Sequence, residues 1–495
     1  MKCYINKKRT IGKINPMIYG HFIEHFHRQI YGGVYYPSSP FADEDGMRTD
    51  VLDAMRKIRV PILRWPGGCF VSSYNWKKAV GKVRTPFFDK AWRVEDPNSF
   101  GTDEYMKLCR KIGCEPYICT NAGTGTAEEM SDWVEYCNLE NEGEFAKWRI
   151  ENGHPEPYNV KYWSIGNENY GEWEIGAKTA DEWSCLVEES AKMMLHVDVD
   201  LKLSAAALAD PVWNMKLLQK AGKRLSLLSI HSYWDRLWAD YNPSDYERAM
   251  SFTDNLGSKI KQIRGTLMML GLDKQIKIAY DEWNLRSWHH PYMHTKLTEG
   301  TSKEKYLPPR DKNDTNSTYT TADSVFTACF LNECIRNCDI VSMANFAPIV
   351  NTCGIIFTHD GGIVKRSTYY VFEMMTEMGD VAIDAWLDGT PRETLCGKNI
   401  DMVDIAAALR SSDGAITVSA VNKHDSESIE LSIPADGINV SSVKARTLGA
   451  DSKDAYNDID SEKVYISTLD ALVTDASVTL KLPPHSVNQI IIETK

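Results

Sequence analysis

Two glutamates carry the strongest chemical signal in this sequence. Glu168 closes the run Tyr162-Trp163-Ser164-Ile165-Gly166-Asn167, and Glu282 closes Ile278-Ala279-Tyr280-Asp281. Each ends a short β-type run with aromatic neighbours. They lie 282 − 168 = 114 positions apart, so only a fold can bring them together. Paired carboxylates across a cleft are what glycosidic cleavage needs. One protonates the leaving oxygen; the other attacks the anomeric carbon or activates water against it. In a retaining site the two groups stand ~5–5.5 Å apart. At that distance two anions repel, so one carboxyl keeps its proton and acts as the acid.

The elements that must position this pair alternate along the chain. β-type runs occur at Pro16–Phe22, Val60–Trp65, Glu115–Asn121, Val160–Glu168, Leu201–Ala206, Ser226–Tyr233, Gln275–Glu282 and Asp339–Asn345. Helical patterns fall between them, at Ser99–Ile112, Thr126–Glu140, Ala180–Leu195, Tyr246–Leu270 and Thr321–Ile335. Thr126-Ala-Glu-Glu129 reads as a capping box. Eight such units predict an α/β chain whose parallel strands close into a (β/α)8 TIM barrel. A doubly wound open sheet would leave strands over, and no Gly-rich phosphate turn follows the first run. After about residue 380 the pattern becomes all-β, with runs at Met402–Leu409, Ala415–Asn422, Ser428–Ile433, Ser442–Leu448, Ser477–Leu482 and Val487–Ile492. Evenly spaced short strands predict a β-sandwich, jelly-roll-like. The expected division is a catalytic barrel over 15–379 and a C-terminal sandwich over 380–495, which residues 1–14 could join as an extra strand.

Barrel enzymes carry their functional groups at the C-terminal ends of the strands. Those ends hold His21, Glu24 and His25; Arg64 through Cys69; Asn121; Asn167 and Glu168; His231 and Tyr233; Asp281 and Glu282; and Asn345. Only the fifth run, ending Ala205-Ala206, offers nothing. Buried polar groups without partners are costly, so these ends should face a pocket. Arg64 near Glu282 would keep that carboxylate ionised. Trp65, Trp92, Trp173, Trp283 and Trp288 could stack on sugars, with most of them filling the core.

The motifs Trp163-Ser-Ile-Gly-Asn167-Glu168-Asn, Ile278-Ala-Tyr-Asp-Glu282-Trp-Asn, Gly20-His-Phe-Ile-Glu24-His and Leu63-Arg64-Trp-Pro-Gly-Gly68, with the stretch from Asn121 to Asn138, resemble glycoside hydrolase family 51. The likeness runs over most of residues 15–375. It implies an α-L-arabinofuranosidase that retains anomeric configuration, with Glu168 as acid/base and Glu282 as nucleophile. It further implies that Glu24 and Asn167 bind sugar hydroxyls, that His231 and Tyr233 orient the catalytic groups, and that Arg64, Cys69, Asn121 and Asn345 line the pocket. Arabinose-containing oligosaccharides would be the substrates, with no cofactor, and the chain would form a homo-oligomer, a hexamer or trimer. Two positions depart from the family pattern: Cys69 where Asn is frequent, and Pro348 where Gln is frequent. Residues 76–82 also lack the usual acidic residue. β-Xylosidase or endo-glucanase activity on the same scaffold is the nearest alternative.

Composition removes other classes. Fifty-six Lys and Arg against 68 Asp and Glu give a net charge of −12, a field that repels phosphate backbones, so no nucleic-acid partner is expected. No apolar run is long enough to span a membrane, and the first residues do not read as a signal peptide. The 12 Cys lack paired spacing and should be reduced thiols of a cytoplasmic protein. His21-Phe-Ile-Glu24-His25 matches a zinc-peptidase pattern. That chemistry needs both His on one helical face, which the preceding β-type run and the following Gly32-Gly33 leave little room for, so no metal site is assigned. Residues 286–316, with His289-His290-Pro291, read as a surface loop near the site mouth.

Overall fold

The structure is a computed structural model of the 495-residue chain and describes residues 1–237, 243–287 and 314–494. Trp288 and most of the 286–316 loop, His289-His290-Pro291 included, lie outside the described residues. Eight parallel strands close a barrel, one at each of the eight expected runs: Gly20–Phe22, Ile62–Trp65, Glu115–Thr120, Tyr162–Ile165, Lys202–Ala206, Leu227–Arg236, Lys277–Ser287 and Val341–Phe346, the sixth, seventh and eighth extending past the expected ends at Tyr233, Glu282 and Asn345. The ring closes where Asn345 and Phe346 pair with Gly20 and His21. The first run is shorter as strand than its sequence suggests. Pro16–Tyr19 forms a 3-10 turn, because Asn15 accepts from the Met17 N–H and Pro16 has no N–H to lose.

Helices cover the barrel at the expected intervals. Thr126 caps Ala127–Asn138 by accepting from the Glu129 N–H at 3.1 Å. The long helix expected over Tyr246–Leu270 is instead broken into Tyr246–Ser251, a 3-10 turn at Phe252–Asn255, and Ser258–Met269. Two local features accompany the break. The Thr253 hydroxyl bonds back to the Met250 carbonyl at 2.7 Å. Gly257, a residue that weakens a helix interior, stands just before the second helix. The helix Thr321–Arg336 is buried on nearly all sides, since it lies between the barrel and the second sheet. Arg336 and Asn332 fix it there through Asp404, at 3.0 and 2.7 Å.

The C-terminal part is a ten-stranded, mainly antiparallel sheet. Its spatial order is Tyr465–Thr468, Val440–Gly449, Ser486–Thr494, Ile416–Asn422, Val403–Leu409, Val381–Asp388, Lys2–Lys13, Ile429–Pro434, Ser477–Leu482 and Ala471–Val473. The N-terminal strand pairs antiparallel with Val381–Asp388, from Lys2↔Asp388 to Lys13↔Val381. One apolar cluster takes Ile405, Val418 and Ile490 from one half of this order and Leu431, Val478 and Leu480 from the other. The sheet therefore curls over itself around a shared core. Among the described residues no helix is long and apolar enough to cross a membrane.

Candidate active site

The barrel interior is built by the two-residue period of its strands. Ile62, Tyr117, Leu227, Ala279 and Met343, with Met17 and Tyr162 against them, form an apolar plug. Two residues further along six of the strands the same face becomes polar: Arg64, Cys119, Ser164, Ser229, Asp281 and Asn345. Arg64 and Asp281 are 0 % exposed. The seventh strand then breaks its period. Ala279 pairs with Ser229 and Glu282 with His231, three steps against two, which is a β-bulge. The bulge turns the consecutive residues Asp281 and Glu282 toward the same interior, Asp281 below and Glu282 at the rim.

Both Glu282 oxygens are held. Arg64 donates to Oε2 at 2.9 Å and the Tyr233 hydroxyl to Oε1 at 2.7 Å. Glu168 faces it from the fourth strand's end, reached by a turn in which Gly166 and Glu168 both have positive φ, +69° and +44°. The left-handed region is uncommon for a glutamate, and such conformations gather at functional sites. Glu168 Oε1 lies 2.9 Å from His231 Nδ1 and accepts from the Tyr170 hydroxyl at 3.4 Å, while Trp173 Nε1 donates to Oε2 at 2.9 Å. One ligand atom each of Glu168, His231 and Glu282 all fall within 4.8 Å of one another. His231 Nδ1 is also 3.5 Å from Glu282 Oε2, and its Nε2 is 3.4 Å from Asp281 Oδ1. Burial alone would lower the His231 pKa, but Glu282, Asp281 and Glu168 around it push it up to about 10.

Glu24 and two glycines shape the space beside the pair. Glu24 Oε1 accepts from the backbone N–H groups of Gly68 and Phe70, at 2.9 and 3.1 Å, and from Trp92 Nε1 at 3.0 Å. Burial, then the neighbouring Glu282 charge, push its carboxyl up to about 8. A Cβ on Gly67, at φ +144°, would strike Glu24 Cγ at 2.2 Å; one on Gly68 would sit 3.2 Å from Glu282 and 3.7 Å from Asn167 Nδ2. The Gly-Gly pair therefore keeps open a hollow bounded by Glu24, Glu282 and Asn167. Asn167 is fixed from both ends: Arg64 donates to its Oδ1 at 2.8 Å, and its Nδ2 donates to Glu174 at 3.3 Å. Glu174 is itself buried, which pushes its carboxyl up to about 7, with the Glu168 charge adding to the rise. Cys69 lies next to Glu174 and Glu168, and a nearby cleft of about 380 Å3 is lined by Cys69, Trp92, Arg93, Glu172 and Trp173 among others.

Most of the residues expected at the site converge: Glu24, Arg64, Cys69, Asn167, Glu168, His231, Tyr233 and Glu282. Asn121 departs from the expectation. Its Oδ1 accepts from the N–H groups of Gly123, Thr124 and Gly125, and its Nδ2 donates to the Tyr74 carbonyl and Thr124 hydroxyl. Its amide is the keystone of its own loop and has no capacity left for a ligand. Asn345 is fully buried against Gly20, where a Cβ would meet its Oδ1 at 2.4 Å, and no bond from it to Glu168 or Glu282 exists among the described residues. The His-x-x-Glu-His pattern separates in space. His21 packs on Phe372 at 4.5 Å, while His25 sits between Asp96, 2.8 Å from Nδ1, and Trp65 Nε1, 3.0 Å from Nε2. Both His25 nitrogens are thus occupied and Glu24 faces the hollow. One ligand atom each of Cys69, Glu168 and Glu174 also lies within 4.8 Å of the others. Among the tryptophans, Trp65 and Trp283 are core, whereas Trp92 and Trp173 reach the site.

Sequence reasoning missed Asp281 as a separate group, and Glu174 and Tyr170 altogether. The bulge that brings Asp281 and Glu282 to one face has no composition signature. Glu174 and Tyr170 stand in the Gly166–Gly176 turn, where the only signal is a cluster of polar and aromatic residues behind Glu168.

Comparison with known proteins gives a consistent result. Residues 54–250 match the model of the α-L-arabinofuranosidase 1 domain, and residues 281–486 match that of the α-L-arabinofuranosidase C-terminal domain. The chain is 31% identical over 440 residues to the intracellular exo-α-(1→5)-L-arabinofuranosidase of Halalkalibacterium halodurans, covering 86% of this chain and 85% of that one. The crystal structure of the Thermotoga maritima α-L-arabinofuranosidase in complex with arabinose superposes with a TM-score of 0.88 at 32% identity, covering 99% of each chain. The family 51 enzyme from Thermotoga petrophila gives 0.86 at 33% identity, covering 99% of this chain and 100% of that one.

Proposed function

The chain belongs to the α-L-arabinofuranosidases of glycoside hydrolase family 51, and from that premise we propose that it works by retention, with Glu282 as nucleophile and Glu168 as acid/base, on terminal arabinofuranosyl units of arabino- or arabinoxylo-oligosaccharides. The observation that carries this reading is the approach of the two carboxylates to within 4.8 Å. An inverting pair stands ~6.5–9.5 Å apart to admit a water between them.

Arg64 and Tyr233 fix both oxygens of Glu282, which supports its role as the attacking group. In the first step Glu282 attacks the anomeric carbon and the glycosidic bond breaks, while Glu168 passes its proton to the departing oxygen. Esterified Glu282 no longer bears a charge, so Glu168, now a carboxylate, takes a proton from water as that water cleaves the ester. The free sugar leaves with its configuration retained and both groups return to their starting states. Asn167, locked between Arg64 and Glu174, presents its remaining amide hydrogen to the hollow, and Glu24 carries a carboxyl beside it for the sugar hydroxyls. An arabinose complex of a structural neighbour and the exo-acting name of a bacterial relative support the substrate class. Cytoplasmic location and homo-oligomeric assembly belong to the same proposal.

The test is a panel of aryl glycosides with two variants. Glu282→Ala should lose nearly all turnover. Glu168→Ala should lose most with poor leaving groups and far less in the first step with good ones. Azide should rescue Glu168→Ala to an α-configured product and Glu282→Ala to a β-configured one. Equal losses on both substrate kinds contradict the acid role, and the opposite azide stereochemistry contradicts retention.

A further inference from the structure

The reaction above gives no part to Asp281, although the period of the seventh strand places it inside the barrel directly beneath the catalytic pair. Its carboxylate is enclosed. Arg64 Nε lies 3.5 Å from Oδ2, and His231 Nε2 lies 3.4 Å from Oδ1. The Tyr117 and Ser229 hydroxyls donate to it at 2.7 Å each, and Ser204 bonds Tyr117 from the fifth strand at 2.6 Å. The other titratable groups that feel it are Cys119 on the third strand, Tyr170 behind the fourth, and Glu282 next along its own strand. The same two cations that touch Asp281 also touch the catalytic groups. Arg64 reaches Glu282 at 2.9 Å, and His231 reaches Glu168 at 2.9 Å.

We propose that Asp281 is a positioning residue of this reaction: from beneath the pair it anchors Arg64 and the His231 imidazolium against Glu282 and Glu168, and its negative charge lets both cations stay charged while the acid keeps its proton. This inference rests on the roles proposed for Glu168 and Glu282. The charge count supports it. With Asp281 and Glu282 ionised, Arg64 and His231 cationic, and Glu168 protonated, the cluster is neutral. Without Asp281 it carries an excess positive charge, and every proton in it becomes easier to lose. The electrostatics agree. Burial would raise the Asp281 pKa, but Arg64, His231 and Ser229 bring it below the ordinary carboxylate value, so the anion is the resident form.

The experiment is the pH profile of kcat/KM for Asp281→Asn on an aryl α-L-arabinofuranoside. Both limbs should move to lower pH, by about 1 unit or more, the range an ion pair at this distance commands. Tyr117→Phe removes one hydroxyl from the same carboxylate and leaves its charge, so its limbs should stay within about 0.3 unit of wild type. A loosened barrel would lower kcat in both variants and move neither limb. Limbs that stay in place in folded Asp281→Asn overturn the proposal. Should that variant not fold, 15N titration of His231 in the wild-type enzyme, assigned with His231→Gln, decides instead: an imidazolium at pH 7.5 is required, and a neutral ring overturns the proposal. If Glu282→Ala and Glu168→Ala lose turnover as expected and the limbs do not move, only the role of Asp281 falls. If those two variants keep their turnover, the catalytic assignment falls first and takes this inference with it.

Discussion

Glu24→Gln should make this enzyme more stable and less active, and the stability gain should grow with pH. Glu24 is buried, its carboxyl is pushed from the ordinary 4.5 up to about 8, and the cause is first its burial and then the charge of Glu282. The folded state holds this proton from pH 4.5 to about 8, whereas the unfolded chain releases it above 4.5. Across that window the unfolded state binds fewer protons, so stability falls as pH rises. The penalty is near zero at pH 4, ~3 kcal/mol at pH 7, and levels at ~5 kcal/mol above pH 8, from 1.36 kcal/mol per pH unit. A glutamine keeps Oε1 for the three donors at Gly68, Phe70 and Trp92, and has no proton to lose. The assay is thermal unfolding of both proteins at pH 5 and pH 8. For a barrel of this size, unfolding entropy of ~2 cal/mol/K per residue converts 4–5 kcal/mol into roughly 5–6 °C. The variant should therefore melt within ~1 °C of wild type at pH 5 and ~5 °C above it at pH 8. Its kcat/KM should drop ~10-fold or more, the worth of one strong hydrogen bond to a sugar hydroxyl. A stability difference that does not change between the two pH values refutes the claim that Glu24 is held protonated.

Asn121→Ala removes the side chain that ties residues 121–125 together through three N–H groups, a carbonyl and a hydroxyl. It should cost about 2–3 kcal/mol of stability in chemical denaturation and leave KM within about twofold; a tenfold rise in KM would put the amide on substrate instead. Trp173→Phe keeps a ring but loses the N–H that reaches Glu168 Oε2 at 2.9 Å. With a poor leaving group kcat should fall about fivefold, near 1 kcal/mol, with little change for an activated aryl group, and equal effects on both substrates would mean that the indole does not act through Glu168.

The barrel was legible because its signals are local and periodic. Each of the eight β-type runs became a barrel strand, and most of the candidate residues at their ends gathered at one mouth. What stayed hidden is what breaks the period or is decided by neighbours. Asn121 ends its strand just as Asn167 does, yet its own loop folds back onto it, while Asn167 meets Arg64 and Glu174 from other elements. The helix expected over Tyr246–Leu270 has the apolar spacing of one element, but it breaks ahead of Gly257, a weak helix former. Asn345 shares the strand-end position of the catalytic residues but is fully buried against Gly20, a close approach that only the closing of the barrel creates.

The bulge at Ala279–Glu282 also explains why this barrel tolerates charge in its middle. A buried ion pair usually contributes less stability than apolar packing of the same volume, and removing one partner of it is strongly destabilising. Here Arg64 and Asp281 are fully buried, with Glu282 on the same Arg64. The apolar plug beneath, from Ile62 to Met343, and the fully buried tryptophans outside carry the packing instead. The ionic layer therefore sits where it is least useful for stability and most useful for chemistry, one residue below the rim. Shifting the strand back to strict alternation would turn either Asp281 or Glu282 out of the barrel, so that one backbone irregularity couples the nucleophile to the charge that balances it.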